Sequence, residues 1–402
     1  MTRVIGFILV VTALVTFSLF SCDSNPFIFG FDTDFDNELV EVAAYKKANV
    51  LGQIKNPNTF PQYYDYDGRI FFSSPSDWTS GFFPGSLWQI YRLTNDSFWK
   101  NKAAIWTHRL EGQKNNYGTH DIGFIIMSSY GHGWNITKSD HYKNVIITAA
   151  ETLSRRYNDQ VGAIKSWDNS PWQFPVIIDN LINLELLFKA YSLSGDINFR
   201  EIAEKHLETT INHHVRENGS VYHVLDFDPL SGVRIGAAAG QGKSSQSTWA
   251  RGQAWAILGF TIAYRETRNP YYFEIFEKVL AYYLQNVPDD LVPFWDFESC
   301  HGERAFKDAS AAVIVAYSLL EMAESISDKD HSIELQQNSL KIFQALLDKN
   351  YISFDIKKPG IVKHNVGHMP RNLQVDVYII YSEYYYLKSL YMLNDLKNTS
   401  RY

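Results

Sequence analysis

Two carboxylates stand where a soluble helix rarely places a charge. Asp121 lies in Thr119-His120-Asp121-Ile122-Gly123-Phe124, and Asp179 in Val176-Ile177-Ile178-Asp179-Asn180-Leu181-Ile182. Between Asp168 and Glu185, Asp179 is the only formal charge, so any helical placement sets it against packed hydrocarbon. Desolvation there favours the protonated acid, and a carboxylic acid kept neutral near physiological pH is a proton donor. Asp121 has a second reading, as the N-cap of the helix that follows it.

Around these acids the chain places aromatic rings beside polar groups. Trp78 sits in Asp77-Trp78-Thr79-Ser80-Gly81-Phe82-Phe83-Pro84-Gly85, and Trp249 and Trp255 flank Arg251 in Ser247-Thr248-Trp249-Ala250-Arg251-Gly252-Gln253-Ala254-Trp255. Sugars offer flat C–H faces and rings of hydroxyls, so a site for them combines aromatic platforms with Asn, Gln, His and Arg donors. Arg251, among Trp, Ala and Gly, needs a carboxylate partner, either inside the protein or on a ligand. His223 in Val221-Tyr222-His223-Val224-Leu225-Asp226 reads as a donor to a sugar hydroxyl or as a satisfied strand histidine. His213-His214 reads as a structural or solvated pair at a helix end. The histidines show no HExxH or paired metal-ligand spacing, and no GxSxG elbow, P-loop or GxGxxG occurs, so metal, serine-nucleophile and nucleotide chemistry lack support.

The 402 residues carry a formal charge of −7 spread without long runs of one sign, which gives no basic stripe for a nucleic acid. Residues 1–22 pair Arg3 with an apolar run from Val4 to Phe20 and end in Leu19-Phe20-Ser21-Cys22, the pattern of an export signal that resembles a bacterial lipoprotein signal with Cys22 as the lipidated residue. An ordinary cleaved secretory peptide is the alternative. If Cys22 carries lipid, Cys300 is the only other cysteine, and stability must come from the core rather than from a disulfide. The expected layout is a signal (1–22), a short tether (23–35) and one catalytic domain (36–402). The expected setting is an exported, periplasmic or outer-membrane lipoprotein that touches the membrane only through its anchor and acts as a monomer or weak dimer.

Helical periodicity runs through almost the whole chain. Helices are expected over 36–53, 79–93, 96–112, 121–131, 138–157, 175–194, 197–215, 248–266, 270–285, 308–325, 332–350 and 375–393, several opened by Asp, Ser or Thr. Only 220–226 reads as a strand, and 236–246 reads as an ordered loop. Twelve helices joined by short links, paired inner and outer, close into a six-hairpin toroid, an all-α (α/α)6 barrel. The loops at one rim of such a toroid surround a cavity on which polar residues at helix starts converge.

The blocks holding Trp78, Asp121, Asp179 and Trp249 to Trp255 resemble glycoside hydrolase family 88, the unsaturated glucuronyl hydrolases. Gly219-Ser220-Val221-Tyr222-His223, Val292-Pro293-Phe294-Trp295-Asp296-Phe297 and Asp308-Ala309-Ser310-Ala311-Ala312 extend the resemblance over about 36–395. It implies the (α/α)6 fold, with Asp179 as catalytic acid and base and Asp121 as second essential carboxylate. By the same resemblance His223, Gln241, Trp249, Arg251 and Trp255 surround the unsaturated sugar, Trp78 walls the cavity, and no metal or organic cofactor takes part. The implied reaction removes a 4,5-unsaturated uronic acid from the non-reducing end of a polysaccharide-lyase product by hydrating its vinyl ether. Lys307 stands where the family commonly has Arg. The stretch from Lys363 to Arg371 has no close match and is the candidate for contact with the neighbouring sugar and any sulfate on it. Alternatives are an unsaturated rhamnogalacturonyl hydrolase of the same fold, a sugar epimerase with the same barrel, and a glycan-capturing lipoprotein without catalysis.

Overall fold

The computed structural model describes residues 33–169, 171–299, 301–302 and 304–399, with side chains described from 37 to 396. The signal with Cys22, most of the tether, and Cys300 lie outside the described residues.

The helices are α1 (Thr33–Gln53), α2 (Phe82–Thr94), α3 (Ser97–His108), α4 (Ile122–Ile126), α5 (His132–Thr137), α6 (Asp140–Ser154), α7 (Asn180–Ser194), α8 (Ile197–His213), α9 (Ala250–Thr267), α10 (Pro270–Asn286), α11 (Ala309–Ser325), α12 (Lys329–Asp348) and α13 (Ile380–Thr399). A π-helical turn, Met127–Gly131, joins α4 to α5, so the two act as one element. The inner ring is α2, α4 with α5, α7, α9, α11 and α13; the outer ring is α3, α6, α8, α10, α12 and α1. The ring closes where α13 packs on α2, and the first helix packs on α2 outside that closure. Lys47 of α1 and Glu383 of α13 form a fully buried ion pair at that seam.

Sequence decides which ring a helix joins. In α10 the buried residues are Tyr272, Ile275, Phe276, Val279, Leu280 and Tyr283, one stripe at helical spacing, as an outer helix requires. In α11 nearly every residue from Ala309 to Ala323 is buried, because an inner helix meets neighbours on all sides. The small Ala309, Ser310, Ala311 and Ala312 allow that crowding.

Strands are more numerous than the sequence suggests, all short and antiparallel. They are β1 (Phe60–Tyr64), β2 (Ile70–Ser73), β3 (Tyr157–Asn158), β4 (Ala163–Ile164), β5 (Phe174–Ile177), β6 (Val224–Phe227), β7 (Arg234–Ala238), β8 (Asn365–His368) and β9 (Leu373–Ile379). They form sheets ordered β2-β1-β9-β8, β3-β4 and β5-β6-β7. Four expectations change. The strand expected over 220–226 is β6, which begins only at Val224. The helix expected from Pro175 begins only at Asn180, after β5; the one expected from Val375 begins at Ile380, after β9; and the start of the expected 236–246 loop is β7. His214 is fully buried rather than solvated, its Nε2 is 3.1 Å from the Val176 carbonyl, and burial lowers its pKa to about 3. Among the described residues no helix is long and apolar enough to cross a membrane.

Candidate active site

Both carboxylates occupy N-cap positions of inner helices, yet neither side chain caps its helix. The contrast with other Asp residues at helix starts is clear. Asp96, Asp196, Asp308 and Asp328 each accept a backbone N–H of the turn they open. At α4 the cap is supplied from next door, because the Asn183 Oδ1 of α7 accepts the Phe124 N–H at 2.8 Å. This bond brings the two helix starts together, and Gly123 permits it: a Cβ there would lie 2.5 Å from the Asn183 Cα. Relieved of capping, both acids are free for other contacts.

Asp179 follows β5 directly. The strand pairs with β6, and the Ile178 N–H donates to the His223 carbonyl at 3.0 Å, which sets Asp179 opposite His223. Asp179 Oδ2 is 3.4 Å from His223 Nε2, both side chains are under a tenth exposed, and neither atom has a hydrogen bond. The Gln241 N–H reaches His223 Nδ1 at 2.9 Å and needs a lone pair there, so the ring proton belongs on Nε2, toward Asp179. The Ala239 carbonyl, 3.2 Å from Nδ1, is the longer contact. Gly240 makes this approach possible, with φ +56° and a hypothetical Cβ only 2.3 Å from His223 Nδ1.

Asp121 keeps part of its surface open. Its carboxylate accepts the Thr119 hydroxyl at 3.0 Å and lies 3.2 Å from His120 Nε2. Burial raises its pKa, His120 and Thr119 oppose the rise, and the neighbouring carboxyl groups of Asp179 and Asp77 add to it. The two acids are thus electrostatically coupled across the paired helix starts.

Arg251 finds its carboxylate inside the protein. Nη1 donates to Asp308 Oδ2 at 3.0 Å and to the Val366 carbonyl; Nη2 donates to Gln241 Oε1 and to the Gly367 carbonyl, each at 2.7 Å. The side chain is 1% exposed, with only Nε lacking a partner. Four occupied donors make it an organiser that joins α9, the Gln241 loop and β8. That loop is also tied down by buried Asp296, which accepts the Lys243 N–H and the Ser247 hydroxyl.

The three tryptophans divide. Trp78 is partly exposed, presented by a turn in which Asp77 accepts the Thr79 N–H at 2.9 Å, and it packs on Phe124 and Tyr381. Trp249 is 3% exposed, its ring against His223 and the Arg251 guanidinium at 4.4 and 4.5 Å. Trp255 is fully buried against Phe124 and Tyr385, in the layer beneath Trp78. The open aromatic wall is therefore Trp78, while the other two support it.

Two contributors were not legible. Tyr381 stacks on Trp78 at 5.1 Å, lies beside the Arg251 guanidinium, and has a fully buried ring. Its pKa is raised by burial and by the Asp308 carboxylate, against the lowering effect of Arg251. Asp308, the partner of Arg251, was visible only as part of a family block. The stretch that lacked a match lies beside the site, since Arg251 donates to the Val366 and Gly367 carbonyls; next to them, His368 is lowered to about 4 by burial and by the positive charges of Arg371 and Arg251. Among the described residues, no group of three metal-ligating side chains occurs around Asp121 and Asp179.

Comparison with known proteins agrees with this architecture. The family model described as Glycosyl Hydrolase Family 88 matches residues 55–392. An unsaturated glucuronyl hydrolase of Formosa agariphila is 43% identical over 340 residues, covering 83% of this chain and 84% of that one. One of Bacillus sp. strain GL1 is 33% identical over 344 residues, covering 83% and 90%. A crystal structure of an unsaturated glucuronyl hydrolase specific for heparin superposes with TM-score 0.86 at 33% identity, covering 91% of this chain and 99% of that one. The chain belongs to Glycosyl Hydrolase Family 88, the family of these relatives, and is a glycosidase built as an (α/α)6 barrel.

Proposed function

We propose that this chain removes a 4,5-unsaturated uronic acid from the non-reducing end of oligosaccharides left by polysaccharide lyases, with Asp179 as proton donor. The observation that carries the assignment is the Asp179–His223 pair, two buried groups whose facing atoms, Oδ2 and Nε2, lie 3.4 Å apart and have no hydrogen-bond partner. Trp78 joins this cluster through Tyr381, which stacks on Trp78 and lies beside the Arg251 guanidinium. Asp179 in its acid form adds a proton to C4 of the C4=C5 vinyl ether while water adds to C5, and the Asp179 carboxylate formed assists that water. The resulting hemiketal opens the ring at the C5–O5 bond. C1 then carries a hemiacetal, which expels the next sugar. Asp121, coupled to Asp179, orients the water or a sugar hydroxyl, and His223 Nε2–H holds the acid in place. Arg251 fixes the oxygen of the Gln241 amide, leaving its NH2 end as a donor for the sugar.

Export as a lipoprotein anchored through Cys22 is part of this reading, supported by the charge, apolar run and small residues of 1–22. Such a location suits an enzyme that meets lyase products outside the cytoplasm. Activity is tested on a panel of lyase-generated unsaturated disaccharides, sulfated and unsulfated, by loss of ultraviolet absorbance from the conjugated bond. Turnover on uronyl substrates supports the reading. Turnover confined to unsaturated rhamnogalacturonan fragments, or tight calorimetric binding without turnover, would replace it.

A further inference from the structure

On the outer wall, away from the carboxylate pair, α3 runs into a 3-10 turn that crosses the first turn of α6. His108 ends α3, Glu111 opens the 3-10 turn Glu111–Asn115, and His141 is the second residue of α6. One nitrogen from each imidazole and one Glu111 oxygen all lie within 4.8 Å of one another. The two rings are parallel, 7° apart in plane with centroids at 5.4 Å. His141 Nε2 is 3.4 Å from Glu111 Oε2, while the other oxygen, Oε1, accepts the Lys114 ammonium at 2.9 Å. The Tyr130 ring lies 6.4 Å from both imidazoles. Its hydroxyl is fully buried and has no partner.

We propose that His108, Glu111 and His141 bind a divalent transition-metal ion of the zinc class, clamping the end of α3 to the start of α6. Two imidazoles and one carboxylate are a donor set for such an ion, with a further position left to water. A tetrahedral ion with bonds of about 2.0–2.1 Å sets its donor atoms about 3.4 Å apart. The His141–Glu111 pair already stands at that separation. The remaining pairs must close by no more than about 1.4 Å to reach it, which side-chain rotation supplies, since His141 is 45% and Glu111 36% exposed. The Lys114 bond occupies Oε1 and leaves Oε2 as the oxygen nearest His141. The spacing escapes a motif search because His108 and Glu111 span a helix end and His141 comes from another helix. No step of the glycosidase reaction involves these residues.

The test uses the full chain, freed of metal with a chelator, titrated with ZnCl2 by calorimetry and followed in parallel by thermal melting. One site per chain and a rise in Tm of about 2 °C or more at saturation are expected. His108→Ala and His141→Ala each weaken the affinity at least tenfold and remove the rise, while metal-free turnover stays at the wild-type level. Mg2+, which prefers oxygen ligands, gives no rise. The proposal is overturned if Zn2+ leaves Tm unchanged, or if the double variant binds Zn2+ with wild-type affinity and shows the same rise.

Discussion

Replacing Arg251 with Lys separates a residue that grips the sugar from one that grips the protein. In the structure its four occupied donors meet Asp308, Val366, Gly367 and Gln241. Lysine keeps the charge for Asp308 but carries one nitrogen in place of the planar fork, so the two bonds from Nη2 are lost. A hydrogen bond from a charged donor contributes about 1.5–3 kcal/mol net. The Gln241 share therefore corresponds to a fall of roughly 10- to 150-fold in kcat/KM, and the Gly367 share to a lower Tm. If Arg251 acts through Gln241, then Gln241→Ala alone produces a similar kinetic loss, and the double variant is little worse than either single one. The assay is the disappearance of the conjugated double bond, with KM and kcat fitted separately for all four proteins. Fully additive losses would show that Arg251 meets the substrate independently, and unchanged kinetics in Arg251→Lys would remove it from the site's support.

Two further predictions concern the scaffold. Gly123→Ala drives a methyl group into the Asn183 backbone, an overpacking that costs about 1–3 kcal/mol; it lowers both Tm and turnover because it parts the helix starts bearing Asp121 and Asp179. Gly52→Ala in α1, where a Cβ meets nothing, serves as the neutral or stabilising control in the same melting and activity measurements. At the α7–α9–α11 interface, Arg265 holds Glu185, Glu266 and Glu321 at 2.7, 2.8 and 2.7 Å. Burial alone would raise the Glu321 pKa, but Arg265 and Lys388 bring it down to about 2. A depressed folded-state pKa contributes stability above the unfolded value of about 4.3 that is lost as pH falls toward 2, on the order of 3 kcal/mol in all. Tm measured from pH 5 to 2 should fall less steeply in Glu321→Gln than in the wild type, and parallel curves would refute the pairing.

The helical toroid was legible because most of its helices span three turns or more, and the outer ones, such as α10, repeat an apolar stripe. Of the strands only β6 was, overlapping the strand expected over 220–226; the others are two to seven residues long, and several are embedded in apolar runs that also suit a helix. Phe174 to Ile182 shows the difficulty best: it is one hydrophobic stretch but two elements, the strand β5, buried throughout, and then the start of α7. Periodicity cannot divide such a run, so a helix beginning at Asp179 looked implausible, although Pro175 and the β-branched Val176 and Ile177 hinted at a strand. The N-cap position read for Asp121 was right, but the capping bond was not formed, because Asn183 comes from a distant part of the chain. Arg251 needed a carboxylate, and only the fold reveals that Asp308 supplies it. Tyr381 left no signal, since a tyrosine in an aromatic helix start is indistinguishable from core.

The account stands or falls on the proton carried by Asp179. The direct measurement is single-turnover decay of the conjugated chromophore by Asp179→Asn beside the wild type, on an unsaturated disaccharide that the wild type cleaves. Asparagine keeps the volume and loses the transferable proton, so the turnover rate should fall by about two to four orders of magnitude, with melting and substrate affinity little changed. A variant that folds, binds and still turns over at more than about a tenth of the wild-type rate, a loss too small for a missing general acid, would contradict it.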